Sequence, residues 1–343
     1  MTTTPRFIDV ERWADQTETL PELPGLPATP HRFERRSLHA INAALAAGRP
    51  LLVRGEPGTG KSQLARAAAF LLGRSYVWRV MDVQTKVSDL FYEFDAIERL
   101  AQAQIAALLC READDPAQVI ADYLDERRFI RPGVLWKAFD AAGAEAWPED
   151  PEPSERDAAE GLPPVVLIDE IDKTDPSVPN GLLEALGQGT FPVRQVEDVS
   201  LHRKGRAAPL IIITTNDERE LPAAFVRRCL VYSIRLSKTQ PGLEEWLVKR
   251  GRTHFPKLSD STLLSKAATL LWHDRTEALR QQLPLPGQAE YLDLLRAVTT
   301  LGEDDPAEEL DETAMLELLD ELADFALKKH PDQYPDEEPG GRG

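Results

Sequence analysis

Eight consecutive residues, Gly55-Glu56-Pro57-Gly58-Thr59-Gly60-Lys61-Ser62, place glycines, a lysine and a hydroxyl at the spacing G-x-x-x-x-G-K-[ST]. Glycines let a backbone curl until several N–H groups point at one anion. A helix starting just beyond adds a partial positive charge there. In such a loop Lys61 reaches the β- and γ-phosphates of a nucleoside triphosphate, and the Ser62 hydroxyl ligates Mg²⁺. A second stretch, Val165-Val166-Leu167-Ile168-Asp169-Glu170-Ile171-Asp172, delivers acids at the end of an apolar run. Asp169 is suited to holding Mg²⁺, directly or through water, and Glu170 to polarising an attacking water. A third, Pro209-Leu210-Ile211-Ile212-Ile213-Thr214-Thr215-Asn216, ends in a polar group that can orient water against the γ-phosphate. The other role open to Asn216 is capping the turn that follows.

The elements that must position these residues follow from the same stretches. Residues 50–54 read as a buried strand before the loop. Residues 63–72 are strong helix formers closed by Gly73, so strand, glycine loop and helix come in the required order. Residues 75–81 alternate and are rich in aromatic and β-branched types, which predicts a strand. Helices are predicted over 37–47, 96–110, 116–128 and 177–187, with residues 129–139 a turn leading into a helix. A hairpin is predicted from 191–194 to 201–206, and a strand over 231–236. From Pro241 onward the pattern is helical, over about 242–254, 260–282, 288–301 and 311–329. Strands and helices that alternate and then give way to helices predict an α/β parallel sheet sandwiched by helices, followed by a small all-α domain. The expected organisation is an extended N-terminal arm over 1–30 and an α/β domain over 31–238. That domain carries a helical insert at about 96–128 and an acidic, proline-rich loop at 145–164. A helical domain over 239–330 and a disordered acidic tail over 331–343 complete it.

Charge narrows the partners. The chain has 343 residues and a formal net charge of −18. Residues 145–160 hold seven acids and one arginine, and residues 303–343 hold fifteen acids and three bases. These two stretches carry the whole excess, so the remainder is formally neutral. Local acidity of this kind argues against broad non-specific DNA binding, while leaving room for a basic groove. Lys86, Arg203, Lys204 and Arg206 could line one, although such residues more often make a solvated hairpin. No run approaches the length of a membrane span, and the N-terminus lacks the apolar core of a signal peptide. The only cysteines, Cys110 and Cys229, have no metal-ligand spacing and suit a reducing compartment. The expected location is cytoplasmic, with no membrane partner.

Phosphate loop, acidic strand end, polar strand end, arginine pair and helical lid, in this order, resemble an AAA+ ATPase. Within that group the stretches 82–94, Arg131-Pro132-Gly133-Val134-Leu135-Trp136-Lys137-Ala138-Phe139 and Thr214-Thr215-Asn216-Asp217-Glu218-Arg219-Glu220-Leu221-Pro222 resemble the MoxR family. The resemblance covers about residues 31–300. It implies that Gly55, Glu56, Pro57, Gly58, Thr59, Gly60, Lys61, Ser62 and Gln63 bind ATP as the Walker A segment, and that Asp169 and Glu170 form Walker B. Ser62 and Asp169 would hold Mg²⁺, and Asn216 would be the first sensor. Arg228, or its neighbour Arg227, would be the arginine finger that reaches the ATP of the next subunit. A finger acting in trans implies a homo-oligomeric ring, in this family usually a hexamer. Residues around 85–94 would lie near its pore, 96–128 would be the helix-2 insert, and the region 195–206 the hairpin before the first sensor. One feature departs from the family. Lids of this kind present an arginine at the start of their third helix, whereas here Gln288 stands near that place and Arg296 lies two turns further on.

The function this implies is ATP-driven, chaperone-like remodelling of a partner protein. The family's usual partner carries a von Willebrand factor A domain, and bacterial conflict systems are among its settings. Two alternatives stand beside it: a nucleic-acid motor or loader, and a switch in which bound ATP fixes an assembly without hydrolysis. An intact Glu170 and Asn216 weigh against the switch.

Overall fold

The computed structural model describes residues 6–111, 114–147, 163–193, 196, 200–202, 208–302 and 312–328. Residues 148–162 of the acidic loop expected over 145–164, the basic residues Arg203, Lys204 and Arg206, and the tail expected over 331–343 lie outside the described residues. The chain divides into two units.

The first unit comprises residues 1–14, 35–54 and 62–232. Its sheet is built from β1 (Leu51–Arg54), β2 (Tyr76–Val80), β3 (Val165–Asp169), β4 (Leu210–Thr215) and β5 (Leu230–Ser233), side by side in the order β5-β1-β4-β3-β2. β4 runs parallel to both β1 and β3, with Ile213 opposite Leu52 and Ile168, and β2 runs parallel to β3, with Val80 opposite Asp169. Burial explains the sequence pattern. Strands in the middle of a parallel sheet are covered on both faces and read as continuous apolar runs rather than alternating ones. All of β4 is buried, as are the first four residues of β3. Helices in this unit include α1 (Arg35–Ala47), α2 (Lys61–Leu72), α3 (Ala96–Leu109), α4 (Pro116–Leu124), α5 (Ser177–Gln188) and α6 (Ala223–Arg228). Leu52, Ile168, Leu182, Ile213 and Phe225 belong to one apolar core.

Two local predictions need correction. Residues 129–139 are more than a turn into a helix. Ile130–Pro132 is a short strand paired antiparallel with Tyr92–Phe94, and Val134–Phe139 follows as a helix. Three-residue strands are too short to show an alternating pattern. Tertiary contacts hold this pair: the Gly133 amide donates to the Phe91 carbonyl at 2.7 Å, and the Phe91 ring stacks on Phe191 at 3.9 Å. The second insert helix ends at Leu124 rather than 128, because the Asp125 carboxylate accepts from the Arg127 amide and starts a 3₁₀ turn, Glu126–Phe129. Thr190–Pro192 pairs antiparallel with Ser200–His202, where a hairpin is expected.

The second unit comprises Asp15–Glu34, Gly55–Lys61 and Ser233–Gly343. Thr17–Leu20 and Thr29–Arg32 form an antiparallel pair within it. Its helices are α7 (Gln240–His254), α8 (Leu263–Gln281), α9 (Gln288–Gly302) and α10 (Glu312–Leu327). Leu243, Leu247, Leu264, Leu271, Tyr291, Leu295 and Leu319 form its apolar core. No described helix is long and apolar enough to cross a membrane.

Candidate active site

In the first unit, chemistry gathers where β3 and β4 end. Ser62, in the first turn of α2, donates its hydroxyl to Asp169 at 2.8 and 3.0 Å across 107 positions of sequence. Thr214 donates its hydroxyl to the same carboxylate and accepts from the Glu170 amide at 2.9 Å. The backbone therefore turns sharply after Asp169. Glu170 sits at φ 60°, ψ 49°, a left-handed conformation that costs a non-glycine residue about 1 kcal/mol or more. The turn is fixed by the Thr214 hydrogen bond and carries the Glu170 side chain to Asn216, whose amide nitrogen lies 3.3 Å from Glu170 Oε1. The Lys173 ammonium lies 2.7 Å from Glu170 Oε2. Hydrogen bonding and charge from Glu170 raise the Lys173 pKa above its ordinary value.

Asn216 is itself held by Asp172. One Asp172 oxygen accepts from the amides of Asn216 at 3.1 Å and Glu218 at 3.0 Å. Asp172 is buried, and its other oxygen is an unpartnered atom among the described residues. Between Asn216 and Glu218, Asp217 adopts φ 58° and its amide donates to the Thr215 hydroxyl at 3.0 Å. The three acids at and beyond the end of β3 thus divide their work. Asp169 meets a hydroxyl, Glu170 faces an amide, and Asp172 shapes the loop that supplies that amide.

The glycine loop, residues 55–61, belongs to the second unit. Gly58 and Gly60 adopt φ 72° and 86°, which L side chains avoid, so these two glycines are required by the backbone. Gly58 has a second reason, since a Cβ there would come within 2.8 Å of the Ala289 Cβ. The Thr59 hydroxyl donates to the Glu56 carbonyl, and Lys61 donates to the carbonyls of Gly55 and Glu56, each at 2.8 Å. Lys61 is buried. The Glu56 side chain meets Arg275 of α8 at 2.6 and 2.7 Å. Gln288, in the first turn of α9, is buried with its side-chain oxygen Oε1 unpartnered among the described residues, whereas Arg296 makes an exposed pair with Asp293 at 2.7 Å.

The arginine pair stands apart. Arg227 and Arg228 are exposed at the end of α6, and among the described residues neither bonds to Asp169, Glu170 or Asn216. Their carbonyls are capped by Arg49, which donates from Nε to Arg228 at 2.9 Å and from Nη2 to Arg227. Gln63 is half-buried beside Ser62, with its side-chain oxygen unpartnered among the described residues. Thr214, Asp172, Lys173, Arg49 and Arg275 are given no role by sequence reasoning. Thr214 carries a partial signal, since it and Thr215 are the two hydroxyl residues that end an otherwise aliphatic strand. The others have ordinary surface-type sequence contexts.

The chemistry of the donor set fits magnesium. Mg²⁺ is a hard cation held by one or two carboxylates, water and substrate phosphates. The hydroxyl of Ser62 and the carboxylate of Asp169 are oxygen donors already within hydrogen-bond distance of each other.

A parallel sheet in this strand order, with a glycine loop after β1 and helices after β5, defines the AAA+ P-loop fold. A family model described as "AAA domain (dynein-related subfamily)" matches residues 50–229, just over half of the chain, and the chain belongs to that family. No curated protein matches it. Among solved structures, it resembles a candidate ATPase from Cytophaga hutchinsonii at 14% identity, covering 85% of this chain and 80% of that one, with a TM-score of 0.37. It also resembles a point mutant of Thermotoga maritima RuvB at 15% identity, covering 93% and 74%, TM-score 0.41. C. elegans PCH-2 is similar at 14% identity, covering 85% and 69%, TM-score 0.43.

Proposed function

We propose that this chain is an ATP-hydrolysing, MoxR-like AAA+ ring that remodels or activates a partner protein. The observation that carries the reading is the convergence of Ser62 on Asp169 with Asn216 on Glu170. These pairs join residues that sequence separates widely and that nucleotide hydrolysis needs side by side. The backbone amides of residues 55–62 cradle the phosphates, and Gln63 continues that set into the helix. Lys61 balances the β- and γ-phosphate charge. Ser62 and Asp169 would hold Mg²⁺, which supplies charge neutralisation at the phosphate oxygens.

Glu170 accepts the proton of the attacking water, and Asn216 orients that water. Arg228 or Arg227 reaches the ATP of a neighbouring copy, which makes hydrolysis depend on assembly into a ring, hexameric by family habit. Family membership and the MoxR-like stretches support a chaperone-like role, with a von Willebrand factor A domain protein as the partner. The test is phosphate release from ATP and Mg²⁺. Glu170→Gln is expected to bind nucleotide and lose at least about a hundredfold in turnover. Normal turnover in that variant would overturn the reading.

A further inference from the structure

The phosphate loop carries a charge that opposes its ligand. Glu56 is the second residue of the loop, and its side chain is 43% exposed. An unscreened carboxylate at this position would repel an incoming triphosphate, because like charges lose affinity in proportion to their proximity. The structure supplies the answer within the same unit. Arg275 of α8 places Nη2 at 2.7 and 2.6 Å from the two Glu56 oxygens. Its other terminal nitrogen, Nη1, donates to the Pro286 carbonyl at 2.8 Å. Arg275 is only 12% exposed, so its geometry is set by packing rather than by solvent.

The loop and the start of α9 meet at the same place. A Cβ on Gly58 would strike Ala289, and one on Gly287 would lie 3.7 Å from the Pro57 carbonyl. The turn at 286–287 is thus fastened from one side by Arg275. From the other, the Glu290 carboxylate accepts from the Gly287 amide at 2.8 Å.

We infer that Arg275 is a positioning residue for nucleotide binding, which neutralises Glu56 and ties the phosphate loop to the turn before α9. It does not touch the nucleotide. It removes a repulsive charge from the loop and holds that loop against Ala289. This rests on the reading of residues 55–62 as the ATP site. It also gives the lid a cationic link to the loop, through a carboxylate, in a chain whose third lid helix begins with Gln288 rather than arginine.

The experiment measures equilibrium binding of a fluorescent ATP analogue with Mg²⁺ to the full chain. It compares wild type, Arg275→Ala and the double variant Arg275→Ala with Glu56→Gln, each checked by its unfolding temperature without nucleotide. Arg275→Ala is expected to weaken binding by about fivefold to tenfold at low salt, and by less at high salt, where screening replaces the lost cation. Removing the opposing carboxylate in the double variant is expected to recover most of that loss. A purely packing role for Arg275 predicts no recovery, and that result would overturn the inference. So would unchanged affinity in Arg275→Ala. Absence of binding by wild type would instead strike the ATP-site reading itself, which keeps the two failures distinct.

Discussion

At the residue scale, the cluster after β3 depends on which partner each carboxylate keeps. Glu170 has a cation at one oxygen and an amide at the other. The two contacts fix where the carboxylate sits. Lys173 is 42% exposed, so the pair contributes at most about 1 kcal/mol, a factor of about five in rate. Lys173→Ala is therefore expected to change basal turnover by no more than about fivefold, whereas Glu170→Gln loses at least about a hundredfold. Turnover numbers of the two variants, measured side by side, check this. A Lys173→Ala protein as impaired as Glu170→Gln would show that the ammonium takes part in the chemistry itself.

Legibility at this scale was uneven for a physical reason. Gly55, Lys61, Ser62, Asp169, Glu170 and Asn216 lie in local patterns whose spacing has meaning on its own. Asp172 and Thr214 work by meeting backbone amides about 44 residues away, and nothing local marks such a bond.

At the scale of elements, continuous apolar runs such as residues 165–168 and 210–213 identified the buried parallel strands. The period of the C-terminal helices was equally plain. The short strand pair of Tyr92–Phe94 with Ile130–Pro132 was not, since its stability comes from side chains distant in sequence, including the Phe91–Phe191 stack. In the second unit, Thr29–Arg32 packs near α7 and brings His31 toward Arg250 and His254. Burial, then the Arg250 charge, pushes the His31 pKa down to about 3. The same causes in the same order push His254 down to about 4.

Both side chains are therefore neutral in the fold and must be charged in the unfolded chain below about pH 6.5. The unfolded state then binds more protons, so stability is full above pH 6.5 and falls as pH drops toward 4 and 3. A loss of a few kcal/mol across that window is expected, discounted for partial exposure. His31→Phe should flatten the pH dependence of the unfolding midpoint between pH 6.5 and 4. An equally steep profile in that variant would contradict the assignment.

At the scale of the whole molecule, the account requires more than one copy. The arginines at the end of α6 are exposed and bond to none of Asp169, Glu170 or Asn216 among the described residues. Arg49 caps the α6 carbonyls and gives that pair a fixed base. If the finger acts in trans, turnover per subunit rises with protein concentration in wild type. Arg227→Ala or Arg228→Ala should then lower it by about a thousandfold without weakening ATP binding. A mixture of a finger variant with Glu170→Gln should regain activity, because some junctions pair an intact finger with an intact base. Unchanged turnover in both finger variants would remove the trans mechanism.

The most direct measurement is phosphate release from ATP and Mg²⁺ by wild type and Glu170→Gln in parallel, on samples whose assembly state and nucleotide binding are recorded together. The account predicts turnover in the assembled wild type, with nucleotide held but not split by the variant. It is contradicted by an assembled wild type that binds nucleotide and releases no phosphate, or by a variant that matches wild type in rate.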